Sequence, residues 1–292
     1  FLEITHALSL NDSLWVKRRD SELTWEAVNL YTNEFTDVVS YTAFETGLKG
    51  LRLSTTSPEF TSEGSFEKCW IREPDGVYLY KKSSYGFANA GLEAYSEFYA
   101  SQLSQRICKS YVNYEIVKFK KNIVSRCKMF TSEQEGFVPI YKFLDESQVY
   151  GYEELIAFCK ELGMEEEFRR MIILDAIIFN VDRHLGNFGF IVDNETFEIL
   201  RFAPVFDHNM ALLARAMQSD LENFDSYYQM LGHKIGGDFV SVAKKLMTPD
   251  IRRDVEELRE FAFVPDDKYN LPMERLEFLS AAVRKQVEEI LR

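Results

Sequence analysis

The stretch that most constrains the fold is a fixed succession of textures between Met171 and Phe202. An apolar run, MIILDAIIF (Met171–Phe179), leads into a polar loop, NVDRHLGN (Asn180–Asn187). A short apolar run, FGFIV (Phe188–Val192), the turn DNET (Asp193–Thr196) and a strand-like run, FEILRF (Phe197–Phe202), follow it. With the preceding EEEFRR, the first run is too long and apolar for a surface helix, which predicts a buried helix over Glu165–Phe179. The two runs around the turn predict a β-hairpin. A core helix must therefore deliver a loop of Asp, Arg, His and Asn directly against a hairpin, and APVFDHN (Ala203–Asn209) emerges from that hairpin.

Upstream, the chain reads as strands and turns. SLWVKRR (Ser13–Arg19) predicts a short strand and TWEAVNLYT (Thr24–Thr32) a helical turn or short helix. KCWIRE (Lys68–Glu73), the turn PDG (Pro74–Gly76) and VYLYKK (Val77–Lys82) predict a hairpin. LEAYSEFYASQLSQRI (Leu92–Ile107) predicts a helix, Tyr114–Phe130 holds strand-like stretches, and GFVPIYKFL (Gly136–Leu144) predicts a strand with Pro139 at an edge or bulge. From Tyr152 the texture turns helical: Tyr152–Gly163 ends on a capping glycine. Further on, TPDIRRDVEELREF has Thr248 as N-cap and Pro249 in its first turn, and ERLEFLSAAVRKQVEEILR closes the chain. The change near residue 145 predicts an α+β chain with a β-rich N-lobe, 1–145, and a helical C-lobe, 146–292.

Charge narrows the partners. A net charge of -13 over 292 residues argues against direct nucleic-acid binding or an anionic membrane as partner. A polyphosphate would have to be held by a few local bases and a divalent cation. The apolar runs are far shorter than a membrane span, and FLEITHALSL lacks the basic start and small-residue cleavage site of a secretory leader. Cys69, Cys108, Cys127 and Cys159 form no CxxC pair, so they read as reduced core thiols in a cytoplasmic protein rather than a zinc site.

The polar loop carries the chemistry. A lone Asp182 would read as a turn cap, but Asn187 stands five residues later and Asp207 follows the hairpin. A protein-kinase catalytic core has the same order: a loop aspartate that takes the acceptor's proton, an asparagine that binds metal, then a hairpin and a metal-binding aspartate. Mg²⁺ prefers oxygen ligands and takes only one or two from protein, which Asn187 and Asp207 satisfy. Arg183 and His184 read as loop braces, with Asp175 as a partner one helical turn earlier, and His208 as a local hydrogen-bonding residue. The N-lobe should supply a glycine-bearing phosphate loop, met by TSEGSFEK with Gly64 at its turn and Ser65 beside it. It should also supply a strand lysine, Lys81 or Lys82. Alternation sends these two to opposite faces, so only one can enter the cleft. A helix glutamate to hold that lysine is Glu97 or Glu93. Glu97 is preferred, because Ala100, Ser101 and Ser104 make its helix face small-sided. YKFLDE (Tyr141–Glu146), by its position, offers backbone groups to an adenine.

NVDRHLGN with its following FD, together with EGSFEKCW, VYLYKKSS, EFYASQLS and the opening HALSLNDSLWVK, resembles the HipA-like serine/threonine kinases. The resemblance spans most of Thr5–Leu213, and its match at YLYK favours Lys81. It departs where no glycine follows Asp207, and the segment ahead of the phosphate loop is shorter than the HipA N-terminal subdomain. What it implies is a bilobal protein-kinase-like fold, with ATP and Mg²⁺ as cofactors and a protein substrate bearing a Ser or Thr acceptor. It also implies a toxin-type partner in a small helix-turn-helix antitoxin, and autophosphorylation in the phosphate loop at Thr61, Ser62 or Ser65. Two other readings stay open: a lipid or small-molecule kinase, and a nucleotide-binding partner module without catalysis.

Overall fold

The computed structural model describes residues 5–34, 67–86 and 89–292. The structure is mixed α/β, with two antiparallel sheets and nine helices among the described residues. The first sheet has the order β1-β2-β4-β3, from β1 (Lys68–Glu73), β2 (Gly76–Lys82), β3 (Tyr114–Phe119) and β4 (Asn122–Lys128). The β1–β2 hairpin closes on Glu73↔Gly76, so Pro74 and Asp75 make the turn where the sequence signalled one. The short helix α1 (Trp25–Val28) lies ahead of this sheet.

Helix α2 (Glu93–Ile107) crosses from the first sheet toward the helical half. Its start is set from outside the helix, because the Ala94 N–H donates to Ser83 Oγ at the end of β2, 3.0 Å away. The second sheet, β5-β6-β7, comprises β5 (Glu135–Pro139), β6 (Gly189–Asp193) and β7 (Ile199–Phe202). β6 is central, and its Gly189–Val192 run is buried on both faces. Gly189 is required there by packing: a Cβ would stand 2.2 Å from the Val138 carbonyl oxygen.

The main core is helical, built from α2, α3 (Tyr152–Glu161), α4 (Glu165–Ile177), α7 (Phe239–Leu246), α8 (Pro249–Glu256) and α9 (Met273–Leu291). The small helices α5 (Gln218–Glu222) and α6 (Phe224–Tyr228) complete the set. Every residue of α4 from Arg170 to Ile177 is buried, as its unbroken apolar texture requires. Thr248 caps α8, its Oγ1 accepting the Ile251 N–H at 3.3 Å, with Pro249 in the first turn. No helix among the described residues is long and apolar enough to cross a membrane.

Two expectations, for Ser13–Arg19 and Gly136–Leu144, need correction. Ser13–Arg19 forms no strand: Val16 makes one backbone bond to His6, and Trp15 packs by its ring beside Trp25 instead. Within Thr24–Thr32 the helical turn is the one expected, and it ends early because the Asn29 side chain accepts the Tyr31 and Thr32 N–H groups and pulls the chain out of helix. The strand predicted over Gly136–Leu144 stops at Pro139, which has no N–H for the next rung, and a 3-10 turn (Ile140–Phe143) takes over.

Candidate active site

β2 fixes the lysine. Lys81 faces α2, while its neighbour Lys82 goes to the other face and pairs with Glu67 at 2.7 Å. Lys81 Nζ lies 2.5 Å from Glu97 Oε1 and 2.8 Å from Asp207 Oδ1. Ser125, opposite Lys81 in the β2–β4 register, donates its hydroxyl to the second oxygen of Glu97. The alternative glutamate, Glu93, is spent elsewhere: it accepts from Ser84 and lies 3.1 Å from Arg215.

Glu97 is buried while Lys81 and Asp207 are half-buried, and the three are held by their mutual attraction. Burial pushes the Lys81 ammonium down, but Asp207 and Glu97 outweigh it and hold it well above the ordinary lysine value. Burial raises Asp207, yet Lys81, and beyond it Arg183, bring its carboxyl down to about 2. Glu97 goes the other way: burial outweighs Lys81, and the charge of Asp207 adds to the rise. One ammonium between two carboxylates satisfies the one with more positive neighbours first.

Asp207 sits where the chain leaves β7, with φ of 60°, so its backbone turns left-handed without a glycine. Three contacts hold that conformation. The Asp207 N–H donates to the Tyr114 hydroxyl at 3.1 Å. Phe206 wedges its ring against Phe130 and Phe137. The Val205 N–H donates to Ser110 O, while Val205 O accepts the Val112 N–H.

The polar loop is wound around one guanidinium. Arg183 is fully buried and pairs with equally buried Asp175 of α4 through Nε at 2.8 Å and Nη2 at 3.0 Å. Its Nη1 donates to two carbonyls at once, Asn187 O at 2.8 Å and Phe206 O at 2.6 Å. That one nitrogen therefore ties the backbone of Asn187 to the residue just before Asp207. Asn180 donates to Asp175 at 2.8 Å and accepts the Asp182 N–H at 3.2 Å, and Asn187 Nδ2 reaches back to Asp182 O at 3.3 Å. So many polar residues are needed because each buried carbonyl and charge in the loop has to find a partner inside it.

His208 completes the brace. Arg183 Nη2 lies 3.3 Å from its Nδ1, and Ser104 Oγ lies 3.3 Å from its Nε2. A guanidinium can only donate, so Nδ1 is the acceptor and Nε2 carries the proton. Burial and the Arg183 charge bring His208 down to about 3, which keeps it neutral. It is a local hydrogen-bonding residue, as read from the sequence.

Lys81, Glu97 and Asp207 thus share ion pairs, Asn187 bonds to Asp182, and Arg183 ties Asn187 to Phe206 beside Asp207, whereas Lys82 and Glu93 pair elsewhere. Gly64, Ser65 and the hydroxyls of Thr61 and Ser62 lie outside the described residues. Sequence reasoning missed Ser125, Tyr114 and Lys234, whose Nζ lies 2.5 Å from Asp182 Oδ1. Alternation along β4 could have flagged Ser125; nothing in LGHKIGG marked Lys234. A divalent cation fits the donor chemistry. Asn187 and Asp207 carry a neutral and an anionic oxygen, and Arg183 Nη1 ties the backbone of Asn187 to Phe206, next to Asp207. Among the described residues no group of three or more His, Cys, Asp or Glu could hold a metal alone. All four cysteines are buried.

No family model matches the sequence, and no curated protein matches it. Among solved structures, the Helicobacter pylori proinflammatory kinase CtkA superposes with a TM-score of 0.58 at 17% identity, over 79% of this chain and 90% of that one. The chain has the fold of that kinase. The kinase-like fold implied by the sequence resemblance is therefore present. HipA of a Shewanella oneidensis MR-1 toxin–antitoxin system, solved with HipB and its operator DNA, superposes less well. Its TM-score is 0.46 at 11% identity, over 78% of this chain and 66% of that one. A likeness at that score carries no assignment.

Proposed function

We propose that the chain is a HipA-like serine/threonine protein kinase that transfers the γ-phosphoryl group of ATP with Mg²⁺. In this reading residues 1–145 and 146–292 form two lobes, and the nucleotide lies between them. The observation that carries it is Lys81 Nζ shared between Glu97 and Asp207 at 2.5 and 2.8 Å. A strand lysine held between carboxylates from a helix and a post-hairpin segment is suited to phosphates more than to fold stability, since such an ion pair is weak evidence for stability.

Each residue then has a task. Asp182 orients the Ser or Thr hydroxyl and takes its proton. Lys81 holds phosphate oxygens and is aimed by Glu97. Asn187 and Asp207 would hold Mg²⁺, which when bound supplies positive charge against the phosphates. Arg183 keeps Asn187 and Asp207 in mutual register. Gly64 and Ser65 would cover the phosphates, and Thr61, Ser62 and Ser65 are the candidates for autophosphorylation. The segment Tyr141–Glu146, which holds the end of the 3-10 turn, would offer backbone groups to the adenine. Phosphoryl transfer asks for positioning and charge neutralisation rather than covalent chemistry by the protein, and this set of residues supplies both. The location is cytoplasmic, and a small helix-turn-helix antitoxin is the partner; neither a membrane nor direct nucleic-acid contact is involved.

Incubation with γ-labelled ATP and Mg²⁺, followed by separation of protein from lipid products and phosphoamino-acid analysis, tests the assignment. Label on phosphoserine or phosphothreonine is the expected result. Label in lipid alone, or nucleotide binding with no transfer, overturns it.

A further inference from the structure

Lys234 lies 2.5 Å from Asp182 with about half of its side chain exposed, and Asp182 with about a third. A pair so placed adds little to stability. Yet the loop that presents Lys234 is constrained throughout. Gly236 and Gly237 have φ of 101° and 87°, a conformation side chains resist. The His233 N–H donates to Gly237 O at 3.0 Å, and the Gly236 N–H donates to His233 O at 2.9 Å. A Cβ on Gly232 would meet Gly237 O at 3.0 Å. His233 and Ile235, on either side of Lys234, are both buried, the His233 ring edge-on to Phe239 at 4.8 Å. Both His233 ring nitrogens are buried with no hydrogen-bond partner, which costs free energy. A tight loop with two buried anchors and a half-exposed lysine between them is built to place that ammonium.

We propose that Lys234 is a catalytic cation on the acceptor side of the site, an inference that rests on the kinase reading above. The base must stand about 2.6–3.2 Å from the hydroxyl it deprotonates, and the hydroxyl about 3–3.5 Å from phosphorus. An ammonium on that same carboxylate is then roughly 5–8 Å from the γ-phosphorus, within the swing of a four-carbon side chain. During transfer the acceptor oxygen forms its bond to phosphorus. The bond from phosphorus to the β,γ-bridging oxygen breaks, and its electron pair leaves on ADP. The hydroxyl proton passes to Asp182. As Asp182 becomes neutral, Lys234 loses its anionic partner and turns to the transferred phosphoryl oxygens. The attraction therefore grows along the reaction and favours the transition state over the ground state.

The full chain, its Lys234→Met and its Lys234→Arg variants, assayed with Mg·ATP and one acceptor, test this. Lys234→Met lowers kcat about a hundredfold, leaves the Kd for Mg·ATP and the thermal midpoint unchanged, and Lys234→Arg recovers part of kcat. An active wild type matched by Lys234→Met overturns the inference alone. So does a loss confined to nucleotide affinity, or an arginine variant no better than methionine. A wild type that transfers no phosphate overturns the kinase reading, and this inference with it.

Discussion

Lys81 Nζ meets Asp207 Oδ1 at 2.8 Å across 126 residues of chain, joining the first sheet to the segment beyond the second. Glu97 closes on the same nitrogen from α2. Three elements that share no local sequence thus converge on one charge. Replacing Lys81 by Met leaves buried Glu97 and half-buried Asp207 without their ammonium. The expected loss is about 3–5 kcal/mol of unfolding free energy in urea, because removing one partner of a buried pair strands the other. Binding of Mg·ATP should fall with it.

Lys82 provides the matched control. It is one residue away but pairs with Glu67 on the opposite face. Lys82→Ala should keep kcat and the Kd for Mg·ATP within about twofold and cost less than about 1 kcal/mol, because its partner Glu67, unlike Glu97, stays about a third exposed. A loss of nucleotide binding on that substitution would place the wrong lysine in the site.

Arg183 and Asp175 are both fully buried. Asp175 sits in the last turn of α4, where a negative charge opposes the helix dipole and needs its cation. Arg183→Met and Asp175→Asn should each cost about 3–5 kcal/mol in denaturant. The double variant should lose clearly less than the sum of the two, since no charge is left stranded.

The buried histidines set an acid response. Burial brings His233 down to about 4, and burial with Arg183 brings His208 down to about 3, from an ordinary value of 6.5. Both are neutral in the fold. As pH falls below 6.5, the unfolded chain gains protons that the folded chain refuses, so stability falls, by up to about 1.4 kcal/mol per pH unit for each histidine. The loss continues to about pH 4 for His233 and about pH 3 for His208. Urea titrations at pH 7, 6 and 5 should show this slope, and His233→Phe should remove one histidine's share of it. His233→Phe should also be neutral or stabilising at pH 7, because the ring nitrogens it removes have no partner.

Much of this was legible in the chain, for reasons that differ by element. The α4 helix and the β6–β7 hairpin were readable because burial on all sides and a turn bounded by apolar runs leave few alternatives. Glu97 lies 2.5 Å from Lys81 where Glu93 does not, since a small-sided helix face lets α2 approach the sheet. Ser13–Arg19 failed as a strand because β-forming residues need an edge to pair with, and here the tryptophans found an aromatic cluster instead. Lys234 was invisible because its role depends on where a glycine-rich loop folds back in space, and a lysine among glycines has no period and no motif. The Arg183 bridge was half legible: Asp175 at helical reach was foreseeable, but the sharing of one nitrogen between the carbonyls of Asn187 and Phe206 exists only once the hairpin has folded.

The central claim is that Asp182 serves the acceptor while Asp207 serves the metal-bound nucleotide, and a paired measurement on Asp182→Asn and Asp207→Asn tests it. Calorimetry with Mg·ATP should give a wild-type Kd for Asp182→Asn and a severely weakened one for Asp207→Asn, while transfer of label falls in both, by about 10²–10⁴-fold for the lost base. Wild-type transfer in either variant, or equal nucleotide binding in both, would contradict that division of labour.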